Sequence, residues 1–179
     1  MYVDKYNLVN PSEAVSFITS HQNYQKYLDY LETYEDEFEG DSLHRAEVIS
    51  SLFHMGVVGS GDRRVCCYYE DYVVKMPIEG DTVESNKKEV DLFNSLKDNR
   101  ELLDLLCPIL YHDDKFIVTP FCEEFYMEDD DEFFAMCEDM IFKFKNAGIK
   151  FIDLYAQHQF GILDGKIVIL DYEDYEFII

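Results

Sequence analysis

Basic residues are scarce in this chain. Fifteen Lys and Arg stand against 38 Asp and Glu in 179 residues, which gives a formal net charge of -23. Nucleic-acid binding requires cations that neutralise phosphates, and adsorption to an anionic membrane requires them as well. The composition therefore argues against both kinds of partner and favours a basic protein partner. An acidic surface that only keeps the chain soluble is the alternative.

Cysteine and histidine patterns typical of disulfide scaffolds or zinc sites are also missing. The five cysteines form an odd set without a Cys-x-x-Cys pair, and four of them lie in apolar runs. That usage indicates reduced, packed thiols. The five histidines show no metal-ligand spacing. We therefore expect a cytoplasmic protein without a zinc site.

Long apolar runs are absent too. No run approaches the roughly 20 residues that span a bilayer. The start, MYVDKYNLV, has no basic stretch followed by an apolar one, so we expect no signal peptide. Hydrophobic residues nevertheless make up 47% of the chain, which is enough for a packed core.

Two parts of the chain differ in their hydrophobic pattern. Residues 1–55 predict an N-terminal helical extension, with helices that begin near Ser12 and Ser42. Residues 56–179 predict a separate domain in which apolar strands flank short turns. Its predicted order is hairpin, helix, hairpin, helix, loop and hairpin, an α+β fold with an antiparallel sheet.

Turn residues set the predicted boundaries. Hairpins are predicted at Glu70-Asp71, at residues 112–114 and at Asp164-Gly165. Gly148 is expected to end the helix predicted over residues 132–147, and Gly56 to end the helix that begins near Ser42.

Three segments carry candidate phosphate chemistry. Gly59-Ser60-Gly61 leads into a strand, and glycines let backbone amides approach phosphates because no Cβ intervenes; an ordinary turn is the alternative. Lys75 ends the apolar run Val73-Val74, and Glu89 lies on the next predicted helix. Lys75 in solvent is the alternative to an ion pair with Glu89, which we favour.

Two aspartates flank the last predicted hairpin. Asp153 lies in a loop after the predicted helix, and Asp171 directly follows the strand predicted from Lys166 to Leu170. Between them the sequence reads QFGILDGKIVIL, with the turn at Asp164-Gly165.

Together these segments resemble the protein kinase fold, most closely the small kinase-like proteins of bacteriophages, over roughly residues 57–173. The resemblance implies a reduced kinase-like fold and, in an active member, ATP and magnesium as cofactors. The implied site residues are Gly59, Gly61, Lys75, Glu89 and Thr119 for the nucleotide, Asp153 as catalytic base, and Asp171 with Gln159 for magnesium.

The sequence also departs from the kinase pattern. Phe151-Ile152 replaces the usual His-Arg, and Asp171-Tyr172-Glu173 replaces Asp-Phe-Gly. Where a kinase has its metal-binding asparagine, spacing points to His158 and sequence context to Gln159. Only residues 172–179 follow Asp171, so we expect neither an activation segment nor a helical substrate-binding half.

These departures favour a non-catalytic pseudokinase that needs no cofactor. We expect a phage-encoded inhibitor of a basic host protein, such as a DNA-binding or defence enzyme whose nucleic-acid groove the acidic surface would fill as a DNA mimic. The alternatives are a minimal ATP- and magnesium-dependent phosphotransferase, or a scaffold that binds nucleotide without turnover.

Two acidic runs supply the candidate partner contacts, and a solvated face is the alternative for each of them. The candidate residues are Glu35, Asp36, Glu37, Glu39, Asp41, Glu128, Asp129, Asp130, Asp131 and Glu132.

Overall fold

The computed structural model describes residues 10–33, 42–61, 63–78 and 83–178. The described residues form helices and antiparallel sheets, so the predicted α+β class is confirmed. The chain divides into two compact units. The first comprises residues up to Val90 together with Ile109–Phe121, and the second comprises Asp91–Pro108 together with residues from Cys122 onward.

The first unit contains a five-stranded antiparallel sheet in the order β1-β2-β3-β5-β4. Its strands are β1 (Val57–Ser60), β2 (Arg64–Tyr69), β3 (Tyr72–Pro77), β4 (Tyr111–His112) and β5 (Ile117–Pro120). Its helices are α1 (Ser12–Ser20), α2 (Tyr24–Thr33), α3 (Ser42–Phe53) and the part of α4 (Val83–Ser95) up to Val90. Strand β3 is buried along its whole length, and β2 and β5 pair with its two edges.

The N-terminal helices belong to the core of this unit. Ile18, Tyr27 and Phe53, one from each helix, are at most 1% exposed and share a hydrophobic cluster with the sheet residues Val74 and Met76. The buried hydroxyl of Tyr27 donates to the Pro77 carbonyl at 2.9 Å. The predicted division into an extension, residues 1–55, and a domain, residues 56–179, stays a prediction.

The second unit contains two small antiparallel sheets, the end of α4 from Asp91, two further α-helices and one 3-10 turn. The first sheet has the order β6-β8-β9, and the second pairs β7 with β10. Its elements are α5 (Arg100–Leu103), β6 (Glu123–Glu124), α6 (Asp130–Asn146), β7 (Ile149–Phe151), β8 (Phe160–Leu163), β9 (Lys166–Ile169) and β10 (Tyr175–Phe177). Helical periodicity predicts a buried stripe of six residues on α6. Four of them, Phe133, Cys137, Met140 and Phe144, are buried, and the other two, Met136 and Ile141, are half-buried.

Positive backbone φ angles mark the turns. Asp164 and Gly165 have φ of 53° and 73°, the two left-handed residues that a tight type I′ hairpin requires. Gly148, at φ 80°, follows α6 as expected. Gly56 does not end the preceding helix: α3 ends at Phe53, and His54, at φ 56°, makes the turn.

The last strand of the second unit lies beyond the segments that the sequence assigned. Tyr175, Glu176 and Phe177 pair with Phe151, Lys150 and Ile149. Among the helices of the described residues, none is both long and apolar enough to cross a membrane.

Candidate functional site

The predicted ion pair between Lys75 and Glu89 is present in the first unit. The Nζ of Lys75 donates to both carboxylate oxygens of Glu89, at 2.9 and 2.6 Å. The Glu89 side chain is fully buried and that of Lys75 is 7% exposed. The solvent-exposed alternative for Lys75 is therefore excluded. The role of the two residues in holding a nucleotide stays a prediction.

Two residues that the sequence did not single out complete this cluster. The guanidinium of Arg64 contacts Oε1 of Glu89 at 2.8 Å and donates to the side-chain oxygen of Asn86 at 3.2 Å. Asn86 in turn donates to the backbone carbonyls of Lys75 and Lys115. We call Arg64, Lys75, Asn86 and Glu89 the buried polar cluster.

The local structure explains why the side chains of the buried polar cluster lie together. Asn86 and Glu89 are three residues apart on α4, so they share one face of the helix. Antiparallel pairing of β2 with β3 places Arg64 opposite Pro77 and Cys66 opposite Lys75. Removing one partner from a buried ion pair typically costs several kcal/mol, because a desolvated charge is left behind. The Glu89 carboxylate contacts both the Arg64 guanidinium and the Lys75 ammonium, so it keeps the two cations next to each other.

The glycine-rich segment lies at the end of β1: Gly59 and Ser60 pair with β2, and Gly61 follows the strand. The amide of Gly61 donates to the Arg64 carbonyl at 2.9 Å, and β1 is exposed along its length. Neither Gly59 nor Gly61 has a positive φ, and a Cβ on either would meet nothing within 4 Å. The fold of the chain therefore does not itself require glycine at these two positions.

Thr119 lies on β5, opposite Val73 on β3, and its side chain is buried. The predicted position in a buried strand is observed, and contact with adenine stays a prediction.

Asp153 and Asp171 belong to the second unit, and both are exposed. Asp153 lies in the loop that follows β7, and Asp171 follows β9 after Leu170. The loop from Asp153 ends in a single 3-10 turn, Gln157–Gln159, that leads directly into β8.

Gln159 makes hydrogen bonds within this loop and to the end of the last hairpin. Its side-chain oxygen accepts from the Ala156 amide at 2.9 Å, and its side-chain nitrogen donates to the Asp153 carbonyl at 3.1 Å. Its own carbonyl accepts from the Leu170 amide at 2.7 Å, next to Asp171. Gln159 thus links the backbone of Asp153 to that of Leu170, the residue before Asp171. The sequence did not predict this role.

Metal ligation at Asp171 and Gln159 stays a prediction. Carboxylate and amide oxygens are suitable magnesium ligands, whereas the imidazole of His158 is a poor one. Among the residues that the structure describes, no group of three or more His, Cys, Asp or Glu is arranged to hold a metal ion.

The second acidic run lies before and within the first turn of α6. Glu128, Asp129, Asp130, Asp131 and Glu132 are all exposed. Asp129 caps the helix by accepting from the Glu132 amide at 3.0 Å. Carboxylates in a first turn also interact favourably with the helix dipole. These acids thus have a structural use, and partner contact stays a prediction. The first run, Glu35, Asp36, Glu37, Glu39 and Asp41, lies outside the described residues.

Comparisons with known proteins give structural neighbours of low similarity. No protein-family model and no curated protein matches the sequence. The streptomycin–ATP–APH(2″)-IIa ternary complex aligns with a TM-score of 0.43 and 12% identity, over 76% of this chain and 73% of that chain. The gentamicin–APH(2″)-IIa complex aligns with a TM-score of 0.37 and 22% identity, over 52% of this chain and 33% of that chain.

Aminoglycoside phosphotransferases have a protein-kinase-like fold. Both TM-scores and both identities are low, so these likenesses do not decide what the chain does. Any functional conclusion depends on the chain's own residues.

Proposed function

We propose that this chain is a kinase-like protein that holds the phosphates of a nucleotide with Lys75. The buried ion pair between Lys75 and Glu89 carries the proposal. A buried lysine requires a counter-charge in any role, because a desolvated ammonium without one is destabilising. A lysine that meets a polyphosphate gains further from the pair, because the carboxylate fixes the ammonium before the ligand arrives.

The donor set fits a phosphate ligand. Lys75 supplies a cation, and Arg64 contacts the same Glu89 carboxylate that holds Lys75. Gly59 and Gly61 have open space where a Cβ would stand, which leaves room for phosphate oxygens beside this segment. The Gly61 amide itself already donates to the Arg64 carbonyl. A nucleotide bound there would supply the phosphoryl group of any transfer chemistry.

We further propose that the protein does not transfer that group. The altered segments Phe151-Ile152 and Asp171-Tyr172-Glu173 support this pseudokinase interpretation. Gln159 supports it as well, because its amide oxygen already accepts a hydrogen bond from the Ala156 amide within the loop. If the protein were active, Asp153 would orient the acceptor hydroxyl and Asp171 would bind magnesium.

A thermal shift with ATP and magnesium tests nucleotide binding. Ligand at about 100 times its dissociation constant should stabilise the fold by about 2.7 kcal/mol. A Gly59→Val, Gly61→Val variant keeps the buried polar cluster intact and should lose the shift, because its side chains fill the space that phosphates would enter. Adenosine, which has no phosphates, serves as the ligand control.

Two results would overturn nucleotide binding, and two more decide whether the phosphoryl group is transferred. An unchanged melting temperature at millimolar ATP with magnesium overturns it, and so does an equal shift with adenosine. Retention of bound ATP without phosphate release supports the non-catalytic form. Phosphate release that Asp153→Asn abolishes would replace it with the phosphotransferase alternative.

A second candidate function is the binding of a basic protein, which the exposed acids at the start of α6 favour. The resemblance to bacteriophage proteins suggests a host DNA-binding or defence enzyme whose nucleic-acid groove would accept these carboxylates. Exposed charge pairs are screened by salt, so such binding should weaken strongly between low and high ionic strength. Affinity that is constant across that range would exclude charge mimicry.

A further inference from the structure

We propose that the outer face of α6 is a docking surface for a basic, amphipathic helix of a partner protein. We define the outer face of α6 by Phe134, Glu138, Phe142 and Tyr155. This proposal deepens the second candidate function, on which it rests, and it is independent of nucleotide binding at Lys75.

Exposed aromatic rings mark this face. Helix α6 already buries one apolar stripe, which includes Phe133 and Phe144. Beside that stripe, Phe134 is 48% exposed, Phe142 is 61% exposed and Tyr155, from the loop after β7, is 40% exposed. Each of these three rings thus leaves a large part of its surface in contact with solvent. Exposed apolar surface with a polar rim is typical of a protein interaction site.

Two of the three rings, Phe134 and Tyr155, contact each other before any partner arrives. The rings of Phe134 and Tyr155 lie 6.1 Å apart, between centroids. The Tyr155 hydroxyl donates to the Glu138 carboxylate at 2.5 Å, which fixes the tyrosine against the helix. That hydrogen bond raises the pKa of Tyr155, so the phenol keeps its proton. Rigid aromatic residues lose little conformational entropy on binding, and they are frequent hot spots of protein interfaces.

The negative charge on and near α6 indicates which kind of partner would bind this face. Helix α6 carries five acids and two lysines, and four more acids (Glu123, Glu124, Glu128 and Asp129) lie just before it. Lys143 is already paired with Asp139 at 2.7 Å. A second copy of this chain would bring the same carboxylates against one another, at a cost in repulsion. A helix with apolar residues on one face and Lys or Arg beside them complements both the rings and the acids.

Defined peptides test the proposal against the intact chain. The first probe is a fluorescent helical peptide of Leu and Lys, about 18 residues long so that it can hold a helix. The second probe replaces Lys by Glu, and the third replaces Leu by Ala. Anisotropy should show that the Leu/Lys peptide binds most tightly, because only that peptide offers both apolar residues and cations.

Matched variants then locate the contact. The Phe134→Ser, Phe142→Ser double variant should bind the Leu/Lys peptide at least about tenfold more weakly. Central aromatic anchors carry most of the affinity of such an interface. Phe177→Ser is the control, because Phe177 is 56% exposed on β10 of the same unit. Glu138→Gln keeps an acceptor for Tyr155 but removes a charge. It should weaken binding several-fold at low salt and not at 1 M salt, where the Debye length is about 3 Å.

Every other outcome overturns the proposal. Equal loss in Phe177→Ser, or no loss in the double variant, would mean that the peptide only adsorbs to an acidic surface. If the parent protein sediments as a dimer and the double variant as a monomer, this face binds a second copy of the chain. A large fall in melting temperature in the double variant would mean that the chain itself covers the rings. Salt-sensitive partner binding that survives the double variant would keep the second candidate function and remove only this location.

Discussion

The Nζ of Lys75 lies 2.6 Å from Oε2 of Glu89, in a cluster that includes Arg64 and excludes nearly all solvent. Strand β3 and helix α4 are thereby joined by a charged contact in place of an apolar one. Such contacts contribute little net stability compared with hydrophobic packing, so a functional reason for keeping one is expected.

Glu89→Gln should destabilise the first unit strongly. The change keeps the shape of the side chain but removes the carboxylate that Arg64 and Lys75 both contact, and such losses cost about 3–5 kcal/mol. Glu84→Gln on the same helix is the matched control. Its pair with Lys87 is exposed on both sides, so it should cost at most about 1 kcal/mol. Urea unfolding measures both, and equal effects would contradict a structural role for the cluster.

Gly161→Ala should be poorly tolerated. A Cβ there would lie 2.8 Å from the Cβ of Cys122 and 3.0 Å from the Leu170 side chain, which is closer than packed atoms allow. Overpacking of this kind costs about 1–3 kcal/mol. Gly59→Ala is the control. It meets nothing within 4 Å, and we expect unchanged stability or a gain of up to about 1 kcal/mol. Thermal unfolding of the two variants compares them, and a stable Gly161→Ala would refute the close contact.

Alkaline pH should destabilise the first unit through Tyr27. Burial, with smaller effects from Tyr24, Cys67 and Asp113, raises the pKa of Tyr27 well above its usual value of 10.0. The unfolded chain loses this proton near pH 10 while the folded chain keeps it. Stability from this residue is therefore fully present below about pH 10 and falls as the pH rises above that value.

Tyr27→Phe separates this effect from the other tyrosines. The variant loses the hydrogen bond to Pro77, which costs about 1 kcal/mol at neutral pH. Its free energy of unfolding should then fall less steeply with pH above about 10 than that of the parent protein. Identical slopes in urea titrations from neutral to alkaline pH would show that Tyr27 does not titrate in this way.

Gln159→Ala should loosen the loop that carries Asp153. The change removes the acceptor of the Ala156 amide and the donor to the Asp153 carbonyl, each worth about 1 kcal/mol. Hydrogen exchange at the Ala156 amide should accelerate. Gln159→Glu keeps the acceptor and removes only the donor, so this amide should stay protected in that variant. Equal protection in Gln159→Ala and the parent protein would contradict the observed hydrogen bond.

The sequence alone determined the parts that depend on neighbouring residues. The turn at Asp164-Gly165, the helix stop at Gly148 and the buried stripe of α6 follow from local backbone preferences and helical spacing. The pairing of Lys75 with Glu89 was also predictable, because the order of the two residues along the chain matches a known pattern.

Only the tertiary structure decided which distant residues meet. Nothing near Arg64 in the sequence indicates that it contacts Glu89, and nothing near Gln159 indicates that it connects the backbone at Asp153 and Leu170. The packing of α1–α3 into the sheet core and the pairing of β10 with β7 likewise join segments far apart in the chain. Local preferences act over a few residues, whereas these contacts form because burial and hydrogen bonding are satisfied for the fold as a whole.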